Sequence, residues 1–135
     1  MRSTLAVILA GISLVVAATA VPLSAHHSFA AEFDANKPVL FTGTVTKMDW
    51  INPHVWIHMT VAQPNGKAEE WMVEGGAPTV LFRRGFSKTS LEIGTKIVVD
   101  GYRAKDGTNK MNARQITLSD GRKLFAGSEG TGAPR

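Results

Sequence analysis

The chain contains no cysteine. That absence excludes a disulfide staple, a thiolate metal site, a thiol nucleophile and a lipid-modified cysteine tether. Other signatures are missing as well. There is no glycine-rich phosphate loop. Serines occur without the context of a nucleophile elbow. Lys and Arg number 15 against 11 Asp and Glu, but they are spread along the chain. A nucleic-acid binder concentrates them in a dense patch. No spacing of His, Glu and Asp singles out an acid–base pair. The reading that remains is a binding protein without enzymatic activity.

What is present begins with an export signal. Arg2 supplies a positive start, and Leu5 to Ala20 is apolar apart from Gly11, Ser13 and Thr19. Val21-Pro22-Leu23-Ser24-Ala25 then closes on a small residue. This order reads as a cleaved secretory signal over residues 1–25. The run is short for a spanning helix, which needs about 20 apolar residues. A cut after Ala20 suits the small residues Ala18 and Ala20, but leaves Val21-Pro22 at the new end; the cut after Ala25 is favoured. Removing 25 residues from 135 leaves 110, and removing Arg2 leaves 14 basic against 11 acidic side chains, a net charge of +3. One domain of this size buries a core unaided. The expectation is a periplasmic monomer with no membrane span after cleavage and no nucleic-acid partner.

The mature chain reads as strands with one short helix. Residues 26–38 form a polar arm carrying Phe29 and Phe33. Val39 to Trp50 is rich in β-branched and aromatic residues, as strands are. Asn52-Pro53 makes a turn. From His54 to Val61 the pattern alternates: Val55, Ile57, Met59 and Val61 face one way, and His54, Trp56, His58 and Thr60 the other. Pro64-Asn65-Gly66 signals a hairpin, with Glu69 to Glu74 returning and Trp71 and Val73 on the apolar face. Pro78 to Arg84 suits a short helix, with Leu81 and Phe82 to bury and Gly85 as the stop. Arg83 and Arg84 complement its dipole, with anion binding the minor alternative. Thr95 to Arg103, Met111 to Leu118 and Arg122 to Phe125 are strands. Residues 126–135 are rich in Gly, Ser and Pro and are expected to be a disordered tail. Five to six strands with one short helix between the third and fourth describe a mainly β, OB-like barrel over residues 39–125. A small open sandwich is the alternative.

All four histidines fall in two clusters, His26-His27 and His54 with His58. Cleavage after Ala25 would leave His26 at the N-terminus. Its free amine and imidazole then form a two-nitrogen chelate for copper or zinc. His54 and His58 stand four residues apart on one strand face, roughly 13 Å, and so do not share one ion. Hairpin register places His58 opposite Met72 or Glu74, and Trp56 near Glu74 or Gly76. One outer face would then carry His54, Trp56, His58, Met72 and Glu74, with Glu70 close by. In OB-folds this face is the usual ligand surface. Histidine, methionine and carboxylate together suit copper or zinc, whereas Trp56 suits a planar or sugar ligand, or an envelope protein. A purely structural reading is open beside these: His54 ends a turn, Phe29 or Phe33 covers Trp56, and His58 bonds Glu70 or Glu74. Glu32, Asp34 and Asp49 are isolated carboxylates of the kind that usually lie on the surface.

Several segments carry a resemblance. His26-His27-Ser28-Phe29-Ala30-Ala31-Glu32-Phe33-Asp34, Phe41-Thr42-Gly43-Thr44-Val45 and Trp50-Ile51-Asn52-Pro53-His54-Val55-Trp56-Ile57 are the first three. Glu74-Gly75-Gly76-Ala77-Pro78, Arg84-Gly85-Phe86 and the stretch from Asp100 to Gly107 follow. The chain resembles an uncharacterised family of small exported proteins of Gram-negative bacteria, a domain of unknown function, over nearly all of its mature length. The resemblance implies secretion and one β-rich domain, and it transfers no functional residue. Periplasmic OB-fold proteins of the stress-tolerance type are similar in size and compartment.

Overall fold

The computed structural model describes residues 28–127. The expected signal segment, His26, His27 and the tail from Ser128 lie outside the described residues. The elements are α1 (Ser28–Glu32), β1 (Phe33–Asp49), β2 (Trp56–Ala62), β3 (Ala68–Glu74), α2 (Pro78–Arg83), β4 (Lys96–Ala104), β5 (Lys110–Leu118) and β6 (Lys123–Phe125). The strands run in the order β3-β2-β1-β4-β5-β6. Neighbours pair antiparallel, and a short parallel pairing of β3 with β5 joins the two sides into a ring. Ring, strand order and the position of α2 make this an OB-like barrel rather than an open sandwich.

The barrel follows from the alternation in its strands. Val55, Ile57, Met59 and Val61 are all buried, as are Trp71 and Val73 across the hairpin. They meet Val45, Ile97, Val99, Met111 and Ile116 in one core. Trp71 lies against Phe41, with ring centroids 4.3 Å apart, and the Arg103 guanidinium stands 5.2 Å over its ring. At Gly101 the backbones of β4 and β5 approach so closely that a Cβ would sit 2.1 Å from the Asn112 carbonyl oxygen.

Three local expectations are corrected. The arm is ordered from Ser28 and β1 starts at Phe33, not Val39. The cause is a second small apolar cluster: Phe29, 3% exposed, and Phe33, 2% exposed, pack with Tyr102 and Ala104. Phe82 is 68% exposed, not buried. A helix of six residues turns only one side inward; Leu81 takes it, and the next residue lies about 100° round the axis. Gly85, with φ of +83°, then ends the helix. Finally, Ala126 does not begin the tail. It is fully buried, its N–H donates to the Arg114 carbonyl at 3.1 Å, and its carbonyl accepts from Gly76 N–H at 2.9 Å. Among the described residues no helix is long and apolar enough to cross a membrane.

Candidate functional site

The outer face of β1, β2, β3 and β5 depends on one irregularity. Val45 pairs with Met59 and Lys47 pairs with His58, so Thr46 is an extra residue between them. In an unbroken strand Val45, Lys47 and Asp49 would share a face. The bulge flips the strand, leaving Val45 in the core and turning Lys47 and Asp49 outward.

Register then sets two rows across the barrel. Lys47, His58, Met72 and Lys110 lie side by side on four strands. The next row is Asp49, Trp56, Glu74 and Asn112. Between them the core residues Ile57, Val73 and Met111 point inward. The hairpin expectation therefore holds: His58 opposes Met72, and Trp56 opposes Glu74. Met72 is 41% exposed, and Trp56 is half-buried.

Each histidine of this face is held by its own carboxylate. His54 stands just beyond the cis Asn52-Pro53 bond, and its Nδ1 contacts Glu74 Oε1. Glu74 is 8% exposed, and its Oε2 accepts from Asn112 Nδ2 at 3.4 Å. His58 Nε2 lies 3.1 Å from Asp49 Oδ2, and Lys47 Nζ reaches the same carboxylate at 2.9 Å. The Lys47 ammonium holds the Asp49 carboxyl below its ordinary range, and His58 adds to this. Among the described residues His54 Nε2 and His58 Nδ1 have no hydrogen-bond partner.

Several expected contacts take a different form. His58 bonds Asp49, not Glu70 or Glu74, because the bulge delivers Asp49 to it. Glu70 is occupied by the hydroxyls of Thr60 and Thr46. Phe29 and Phe33 pack on Tyr102 and do not cover Trp56. The structure thus brings His54 to Glu74 and His58 beside Met72, while the two histidines take separate partners. His26 and His27 lie outside the described residues. Among the described residues no group of three or more His, Asp or Glu is placed to hold a metal ion. The arm is nonetheless tied to this face. Glu32 on α1 pairs with Lys110 at 3.3 Å, and Lys110 is two strand spacings, about 10 Å, from His58.

A family of unknown function, DUF6152, matches residues 13–113. No curated protein and no solved structure matches the chain.

Proposed function

We propose that this chain, which belongs to the family of unknown function DUF6152, is a periplasmic binding protein that captures copper, with zinc as the second candidate, and catalyses no reaction. One observation carries the reading. Two imidazoles on one barrel face are each fixed at one ring nitrogen by a carboxylate, and the other nitrogen has no partner among the described residues. Metal-binding histidines are oriented in this way, by a carboxylate on the far nitrogen. His58 stands beside the Met72 thioether, and imidazole with thioether suits copper. These two do not make a complete site. His26, with its amine freed by signal cleavage, and His27 would supply the remaining donors from an arm anchored at Lys110. His54, about 13 Å along the strand, is too far to join the same ion and serves a second position or none.

The test is a copper titration by calorimetry on protein exported and processed by its own host, with the N-terminus read by mass spectrometry. The expected result is one tight equivalent, lost in His26→Ala and in a chain carrying an extra N-terminal methionine. His58→Ala should weaken it at least tenfold, and Asp49→Asn about tenfold by freeing the ring. Absence of tight binding to a chain that begins at His26 ends the copper reading.

A second reading rests on Trp56, which is half-buried and free of the two arm phenylalanines. Here the same face, with Met72 and Glu74 beside the indole, docks a planar or sugar ligand or an envelope protein. Trp56→Ala would then abolish binding, and the N-terminal methionine would change nothing.

A further inference from the structure

The described methionines fall into two classes. Met59 and Met111 are fully buried in the core, and Met48 is half-buried against it. Met72 is the exposed one, at 41%. A buried thioether meets an oxidant only when the barrel opens. An exposed thioether meets it at once, and a peroxide converts it to the polar sulfoxide.

The place of Met72 decides what that conversion does. At this point β3 is paired on both sides: Met72 opposes His58 of β2 and Lys110 of β5. Its N–H donates to the Asn109 carbonyl at 2.9 Å. The backbone is thus held while the side chain turns out of the core, so a change at sulfur acts on the histidine face and not on the fold. On one side stands the imidazole of His58, one strand spacing away, and on the other the ammonium of Lys110, which also pairs with Glu32 at 3.3 Å. A sulfoxide oxygen here is an acceptor beside the Lys110 donor. It also replaces a soft sulfur ligand with a hard oxygen one, and copper in its reduced state selects the soft ligand.

We propose that Met72 is a peroxide-sensitive switch: oxidation of its thioether lowers the affinity of the His58 position for copper. The proposal rests on the copper reading above. The Met72 sulfur attacks one oxygen of hydrogen peroxide, and the O–O bond breaks as the S–O bond forms. The leaving hydroxide takes the proton from the transferred oxygen and departs as water. Sulfur is oxidised by two electrons, and the peroxide is reduced by the same two. Methionine sulfoxide reductases reverse the change, one enzyme for each sulfoxide epimer.

The test treats the full processed chain, freed of metal by a chelator, with hydrogen peroxide. Peptide mass mapping should find oxygen added to Met72 about tenfold faster than to Met59 or Met111. Circular dichroism should show an unchanged fold. After the peroxide is removed, calorimetric titration should show copper affinity lowered about tenfold, and treatment with both reductases should restore it. Met72→Leu keeps the apolar volume and should bind copper at the lowered affinity both before and after peroxide. The proposal is overturned if the core methionines or Met48 oxidise as fast as Met72, or if Met72→Leu still responds to peroxide. Equal copper affinity of the oxidised and reduced chains overturns the switch and leaves the copper reading standing. No copper bound by either form removes the copper reading, and the switch with it.

Discussion

The two histidine–carboxylate pairs use the same chemistry four residues apart and differ in almost everything around it. His54 meets Glu74, which is buried and backed by Asn112 from across the β3–β5 pairing. His58 meets Asp49, whose side chain is 29% exposed against 10% for Glu74 and is shared with a surface lysine. A buried carboxylate that loses a partner retains its desolvation cost. An exposed one recovers water, and its ion pair is worth little. The first pair therefore serves the barrel as well as any ligand. The second is cheap to rearrange, which is what a binding position requires.

Glu74→Gln should break the comparison most severely, because it removes the charge beside His54 and strains the Asn112 contact. A loss of about 1–3 kcal/mol is expected in urea unfolding. His54→Ala should then destabilise by about 1 kcal/mol, whereas His58→Ala should leave the unfolding midpoint nearly unchanged. Equal effects of the two histidine substitutions would remove the distinction drawn here.

The smallest effect sharpens the exposed side alone. The Asp49 carboxyl is held below its ordinary range, so its contribution is complete above about pH 4 and is lost as the pH falls through the lowered value. Lys47 is the main cause. Lys47→Ala should raise that titration toward the ordinary value, so the contact with His58 is lost at a higher pH. Carboxyl NMR of Asp49 against pH measures the displacement; an unmoved titration would assign the effect to His58 instead.

The strands were legible because their apolar residues alternate without interruption, as from Val55 to Val61. Turn residues at Asn52-Pro53 and Pro64-Asn65-Gly66 placed the breaks on either side of it. Parity alone then put Trp56, His58, Met72 and Glu74 on one face. The partner of His58 was not legible, since nothing in Val45-Thr46-Lys47 announces an extra residue. The bulge is a choice made by two strands together. The arm was misjudged for a similar reason: Phe29 and Phe33 find Tyr102 about seventy residues away. Phe82 was misplaced because a six-residue helix is too short for periodicity to reveal which side faces inward.

The strand order also dictates when the molecule can exist. β1 occupies the middle of the sheet, yet Phe41 pairs with Val99, fifty-eight positions later. The ring closes only when Met111 and Asn112 reach Val73 and Glu74. A nascent chain can form the β2–β3 hairpin early, but its core stays open until β5 has been made. Such distant pairing is intrinsically slow. Under the export proposed above, the delay would be useful: a segment in transit has no barrel to undo.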